Sequence, residues 1–336
     1  MNTEKPLIHN MEDDYKIDVI GFGALNLDKL FEVDEIAGVD GESFIKSIKE
    51  SCGGSAANTI IGLSRLGLST SYIGKIAEDD EGEILETNLM SEGVYLNNLI
   101  YSDSGSSGVV YGFVDKNGER ELYVNPGVND EIAIGDIVGS GLNNAKIIHY
   151  SSFVGDSFKA QEDLIDILPK DIILSFDPGI IYVKKGIKKL KKIFNRTNIL
   201  LINEIELLEL FKGEMNFKDL AKLLFSQGIE TVVVKRGKHG VYALNSEENV
   251  EIPVFNVKSI DTTAAGDSFN AGFLYSYLNG YSLKNSCIIG NWVASRVVED
   301  FGLVNFPKKD EMIYFEKELD IAIKNNEFPD FFNRKI

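Results

Sequence analysis

The chain has 336 residues, of which 34 are lysine or arginine and 52 are aspartate or glutamate, giving a formal net charge of −18. Hydrophobic residues make up 44% and charged residues 26%, which excludes wholesale disorder and is ample for a buried core. So acidic a balance argues against binding along a nucleic-acid backbone, which relies on clustered cations.

Residues Met1 to Tyr15 are polar and acidic, unlike a secretory or transit sequence. No apolar run approaches the roughly 18 residues that span a bilayer. Cys52 and Cys287 are too few for a disulfide framework. The expectation is a cytoplasmic protein with reduced thiols and no membrane attachment, with residues 1–16 a polar extension ahead of one domain over 17–330.

Along the chain, Ile17–Gly23 reads as a short buried strand, and Glu42–Lys49 alternates like a second. Asn58–Leu66 has helical spacing, Thr70–Gly74 is a strand and Glu81–Glu92 a helix. Gly108–Asp115 and Glu119–Val124 flank Asn117-Gly118, a hairpin signal because both residues tolerate positive φ. Strands follow at Lys146–Ser151, Asp171–Asp177, Asn198–Ile202 and Thr231–Lys235, with helices at Glu204–Phe211 and Phe217–Gln227. Lys184, Lys185, Lys188, Lys189, Lys191 and Lys192 leave Ile187, Leu190, Ile193 and Phe194 on another face, the pattern of a solvated amphipathic helix. Strands alternating with helices imply a mostly parallel sheet covered on both faces. The strands at about 30–50 and 108–125 have no crossover helix, and are expected to form a small antiparallel flap outside it.

Three glycine-rich stretches are candidates for ligand chemistry. Gly21-Phe22-Gly23 begins like a dinucleotide fingerprint, but Asn26 replaces the third glycine and a strand-like Lys29–Val33 follows. Cys52-Gly53-Gly54-Ser55-Ala56-Ala57-Asn58 runs straight into a helix. Its paired glycines allow close backbone approach, and Asn58 either serves a polar ligand or caps the turn. In Asp261-Thr262-Thr263-Ala264-Ala265-Gly266-Asp267, small residues precede an apolar helix, so the amides of Ala265, Gly266 and Asp267 can converge on an anion. A carboxylate there suits a base that deprotonates an attacking hydroxyl while the amides hold a phosphoryl group; alternatively, Asp267 is a favourable first-turn acid.

The second and third motifs, in this order and separation, resemble the two signatures of the ribokinase, or PfkB carbohydrate kinase, family over roughly Ile17 to Pro307. The resemblance implies a three-layer α/β/α core with a mostly parallel sheet and a small antiparallel β lid. It also implies ATP-dependent phosphorylation of a hydroxyl on a sugar or sugar-containing molecule, with a nucleoside as the alternative acceptor. Asp267 matches the catalytic base, and Ala264, Ala265 and Gly266 match the anion hole. Asn26, Asp28, Gly53, Gly54 and Asn58 match the sugar pocket. Asn203 and Glu206 match the Asn-x-x-Glu element that organises Mg²⁺ through water. Lys235, Gly237 and Gly240 lie in the loop expected to contact the nucleotide, and Asn291 is expected near the adenine, with Trp292 in the core or the pocket wall. Asp261, Thr263 and Gly302 fall near positions that bind K⁺ in many members. The lid is expected to exclude water and to pair two copies into a homodimer. Ser55 stands where ribose-specific members carry lysine, and His149-Tyr150-Ser151-Ser152-Phe153 lacks their acid. Both departures argue against free ribose, and Phe153 beside a small-residue pocket suggests a bulkier acceptor. His9, His149 and His239 have no metal-ligand spacing.

Overall fold

The computed structural model describes residues 16–137, 142, 145–213, 215–325, 327 and 331–333, so the expected extension at 1–16 lies, but for its last residue, outside them. The chain opens with β1 (Ile17–Phe22), β2 (Asn26–Val33), β3 (Ile45–Gly53), α1 (Ser55–Arg65), β4 (Thr70–Ala77) and α2 (Asp80–Ser91). Then come β5 (Leu99–Ser102), β6 (Gly108–Val114), β7 (Arg120–Asn125), α3 (Ile134–Ile137), β8 (Ala145–Tyr150), α4 (Ser157–Ile167) and β9 (Ile173–Phe176). Next are α5 (Gly179–Val183), α6 (Ile187–Phe194), β10 (Ile199–Asn203), α7 (Glu204–Leu210), α8 (Phe217–Ser226) and β11 (Thr231–Lys235). The described chain ends with β12 (Val241–Leu244), β13 (Asn249–Ile252), α9 (Ala265–Leu278), α10 (Leu283–Val297) and α11 (Lys309–Asn325).

The main sheet has the order β13-β12-β11-β10-β9-β8-β1-β4-β5. It is parallel from β11 to β5, and β12 and β13 add an antiparallel edge. Alternate residues of its central strands feed separate cores, as the two-residue period of a strand requires. Leu201 and Val233 pack with α1, α9 and α10, while Leu200, Ile202, Val232 and Val234 pack with α4, α6, α7 and α8. The expected three layers are therefore present, and Leu190, Ile193 and Phe194 bury the apolar side of the lysine-rich α6.

The lid has the order β3-β2-β6-β7, and here the expected all-antiparallel flap is corrected: β2 and β6 pair in parallel. The reason lies in the main sheet. There β1 and β5 run in the same direction, and each continues into a lid strand, so β2 and β6 leave the same edge together. The two outer pairs, β2–β3 and β6–β7, are antiparallel as expected. At the β6–β7 turn Gly118 alone takes positive φ, and the Asp115 carboxylate accepts from the amides of Asn117 and Glu119.

Gly21 and Gly23 answer to packing rather than to a dinucleotide. A Cβ on Gly21 would meet Ile60 Cγ1 at 2.5 Å, and one on Gly23 would meet Ser151 Oγ at 2.2 Å.

Candidate active site

The parallel strands β1, β8, β9, β10 and β11 end at a common edge, where open α/β sheets bind ligands. Gly54 makes the turn from β3 into α1 with φ +117, and a Cβ there would lie 2.1 Å from the Ala24 carbonyl oxygen. Replacing Gly54 by alanine is therefore expected to destabilise the fold by more than about 1 kcal/mol, seen as a lower urea midpoint at unchanged m-value.

Opposite α1 stands the head of α9. Its N-cap, Ala264, adopts left-handed φ +58, a conformation that costs a non-glycine residue about 1–3 kcal/mol. The Asp261 carboxylate fixes the approach by accepting from Thr263 N at 2.9 Å and Gly302 N at 3.1 Å. The Ala265 amide turns back to Thr262 O at 3.3 Å, whereas those of Gly266 and Asp267 have no helical partner and stand at the positive end of the dipole.

Asp267 is half-buried between the two helices. Its Oδ1 accepts from Ser55 Oγ at 2.6 Å and its Oδ2 from Asn58 Nδ2 at 2.8 Å. Burial pushes its pKa up to about 6; the Ser55 and Asn58 hydrogen bonds oppose the rise, while Asp177 reinforces it. The result is an oriented carboxylate with a proton affinity raised toward neutrality.

Near it lies Lys235, which the sequence places only in the loop expected to contact the nucleotide. Lys235 Nζ donates to Asp177 Oδ2 at 2.7 Å and to Asn270 Oδ1 at 3.0 Å, and Asn270 Nδ2 donates to the same Asp177 oxygen at 2.7 Å. A Cβ on Gly266 would stand 3.5 Å from that ammonium, so Lys235 lies against the head of α9. Burial works against its charge, but Asp177, Glu206 and Asp267 hold it above the ordinary lysine range. Burial likewise raises Asp177, yet Lys235 and Asn270 keep its carboxyl below the usual carboxylate range. Two residues before Asp177, Ser175 Oγ bonds His149 Nδ1 at 3.0 Å; burial pushes His149 down to about 4, so this imidazole is neutral structure, not a base.

Asn203 and Glu206 close the floor as a capping box on α7. Asn203 Oδ1 accepts from Glu206 N at 2.8 Å, and Glu206 Oε2 accepts from Asn203 N at 3.1 Å. Burial, with the like charge of Asp177, pushes Glu206 up to about 7. Among the described residues no group of three His, Cys, Asp or Glu is arranged to hold a metal directly. A Mg²⁺ that keeps its waters and borrows phosphate oxygens asks for only one or two carboxylates, and Glu206 beside Asp177 fits that need.

On the lid side, Asn129 Nδ2 donates to Asn26 Oδ1 at 3.0 Å and to Leu25 O at 2.6 Å, fixing the start of β2. Burial pushes Asp28 up to about 6. A Cβ on Gly53 would come within 2.5 Å of Asp28 Oδ2, so the first glycine of the pair makes room for this carboxylate. The sequence model of the pfkB family carbohydrate kinases matches residues 17–310. The chain belongs to that family. A relative described as an uncharacterized sugar kinase from Archaeoglobus fulgidus is 38% identical over 72% of this chain and 96% of its own. An ATP-dependent ribose-1-phosphate kinase from Halopiger xanaduensis is 29% identical over 89% of this chain and 98% of its own. The structure of ribokinase from Thermotoga maritima superposes with a TM-score of 0.80 at 25% identity, covering 90% of this chain and 99% of that one.

Other expected residues of this carbohydrate kinase fall differently. Gly237 and Gly240 both take positive φ around a short 3-10 turn, and a Cβ on Gly240 would lie 2.0 Å from Ile252 O. Asn291 is buried, its Nδ2 donating to Pro253 O at 2.9 Å. Trp292 is core, stacked on Phe315 with ring centroids 4.1 Å apart, which settles the choice between core and pocket wall. Phe153 is also corrected: it is fully buried against Phe22 and offers no platform to a bulky acceptor. Asp261, Thr263 and Gly302 do meet, but through amides donated to the Asp261 carboxylate. Asp177 and Asn270 escaped the sequence reading. Their available signal was an acid at the carboxyl end of a parallel strand, Asp177-Pro178-Gly179, and a buried asparagine one turn after Asp267.

Proposed function

We propose that this kinase transfers the γ-phosphoryl group of ATP to a hydroxyl of a sugar or sugar-containing molecule, with Asp267 as general base. The observation that carries the reading is one carboxylate oriented by Ser55 and Asn58 beside two helix-head amides that have no hydrogen-bond partner among the described residues. Asp267 takes the hydroxyl proton as the acceptor oxygen bonds to phosphorus, and the bond from phosphorus to the β-phosphate oxygen breaks to release ADP. The amides of Gly266 and Asp267, with Lys235 against the head of α9, hold the charge on the transferring group; Ala264 shapes the turn, and Ala265 gives its amide to Thr262. Asn26, Asp28, Gly53, Gly54 and Asn58 line the acceptor side, while Gly237 and Gly240 shape the nucleotide loop. Asn203 and Glu206 would hold Mg²⁺ through water, and the ion supplies neutralisation of the phosphate oxygens. Asp261, Thr263 and Gly302 are the place for a K⁺, bound through carbonyl or carboxylate oxygens.

A homodimer through the lid accords with its outer face, where Phe31 stacks with Tyr111 and Phe113, and where Tyr111 and Tyr123 are exposed. Among the described residues no helix is long and apolar enough to cross a membrane; a cytoplasmic enzyme is the reading proposed.

ADP release from ATP and Mg²⁺, with and without K⁺, against pentoses, hexoses, sugar acids, sugar phosphates and nucleosides tests the assignment. One strong acceptor is expected. Because Asp267 must be ionised to accept a proton, kcat/KM is expected to fall with unit slope below about pH 6. A flat acid limb would remove Asp267 from the role of base.

A further inference from the structure

The register of the lid sorts its side chains onto two faces. Asn26 lies opposite Gly53 and Gly108, Leu30 opposite Lys49 and Gly112, and Glu32 opposite Val114, which itself faces Arg120. Side chains on one face of a sheet recur every second residue, so Asp28, Leu30, Lys49, Ser51, Leu122 and Arg120 share a face. Contacts agree: a Cβ on Gly112 would meet Leu30 at 2.4 Å and Leu122 at 3.0 Å. This face looks onto the catalytic loops. Lys49 Nζ lies 5.0 Å from the centroid of Phe301, and Arg120 is near enough to help hold Asp261 below the usual carboxylate range.

The cations of the lid strands are treated unequally. Lys29 is paired with Glu81 at 2.8 Å, and Lys46 with Asp34. Lys49 and Arg120 have no ion pair among the described residues; Glu32, the acid on their face near the tip, accepts from Ser47 Oγ. In a chain of net charge −18, two cations with no ion pair among the described residues, on the same lid face as Asp28 and turned toward the loops of Phe301 and Asp261, stand out. At about 3.3 Å per residue, the Leu30–Lys49 level lies roughly 7 Å beyond Asp28, and the Arg120 level roughly 13 Å. The nearer level is on the scale of a pentose or hexose bearing one further substituent, and the long Arg120 side chain reaches toward it from the farther one.

We infer that the acceptor carries an anionic group, a phosphate monoester or a carboxylate, held by Lys49 and Arg120 from the lid while Asp28 and Asp267 take its hydroxyls. The inference rests on the kinase reading above and narrows its acceptor. A charge-assisted hydrogen bond contributes about 1.5–3 kcal/mol, or roughly ten-fold to more than a hundred-fold in affinity.

The test compares kcat/KM for neutral pentoses and hexoses with that for their monophosphates and aldonic acids, in the full chain with ATP and Mg²⁺. Wild type, Lys49→Gln, Arg120→Gln and the double variant are assayed at low and high salt. An anionic acceptor is expected to be preferred, with KM rising with salt, and the phosphate and acid arms identify the group. In the variants the anionic-over-neutral ratio of kcat/KM should fall by about ten-fold or more. A preference for neutral acceptors overturns the inference. So does an equal loss on both classes, which would mean that Lys49 and Arg120 only dock the lid on Phe301 and Asp261. Either result leaves the kinase reading intact, whereas that reading fails separately if the wild type phosphorylates nothing in the panel.

Discussion

Replacing Asp267 by asparagine is expected to lower kcat by at least about two orders of magnitude while the folded state survives. A general base contributes about 10²–10⁴-fold, and asparagine cannot accept the proton. The fold should persist because the amide keeps the shape of the carboxylate, and Asn58 can turn its own amide to present Oδ1 in place of Nδ2. Stability is expected to hold or to rise at neutral pH. The native pKa of Asp267 stands above its unfolded value, so its ionisation weakens the fold as pH rises from about 4 to about 6, and the amide removes that cost. Thermal melts at pH 7 alongside single-turnover kinetics check both halves. Wild-type turnover in a folded Asp267→Asn protein would sink the mechanism.

Lys235→Met should act on stability and on chemistry together. Asp177, only 6% exposed, would lose its cation, and breaking a buried pair from one side costs about 3–5 kcal/mol. The sign with pH follows from Asp177. Held below its usual range by Lys235, it contributes stability that is present above its unfolded pKa and lost as pH falls through the native one. Without Lys235 that contribution disappears, so the deficit against wild type is expected to be larger at pH 8 than at pH 4. Adding Asp177→Asn should restore most of the urea midpoint, since no unpaired charge is then buried. Activity should stay low in the double variant, with a raised KM for ATP, because the ammonium against the head of α9 is still missing. Recovery of activity along with stability would show Lys235 to be a structural cation only.

The sheet was legible because Val- and Ile-rich runs such as Thr231–Lys235 are buried on both faces, and the structure returns that strand unaltered. Asn249–Ile252 and Leu99–Ser102 were passed over: each spans four residues, polar at one end or alternating, too short for periodicity to register. Hairpin reasoning, which looks only at sequence neighbours, cannot see the parallel β2–β6 pair, because this pairing is set by where β1 and β5 leave the main sheet. Asp267 and its glycines were readable as a local motif. Asp177, Lys235 and Asn270 form a constellation from three separate strand and helix ends, and no spacing along the chain announces their meeting. Phe153 is the opposite case: its place beside a motif points to a platform for a ligand, but neighbouring rings bury it in the core.

The roof and the base are one stretch of chain: β3 ends at Gly53, Gly54 turns against Ala24, and Ser55 and Asn58 follow within the first turn of α1. Gly54 passes close against the Ala24 carbonyl, so a swing of the roof is expected to draw both donors away from Asp267. Each donor lowers the proton affinity of that carboxylate, and losing them raises it. With the roof lifted, the base is more often protonated and has little power to activate anything, a stray water molecule included. With Asp267 as the proposed base, the segment expected to cover the acceptor would also arm the carboxylate, and bound nucleotide would be spared idle hydrolysis until the pocket is filled.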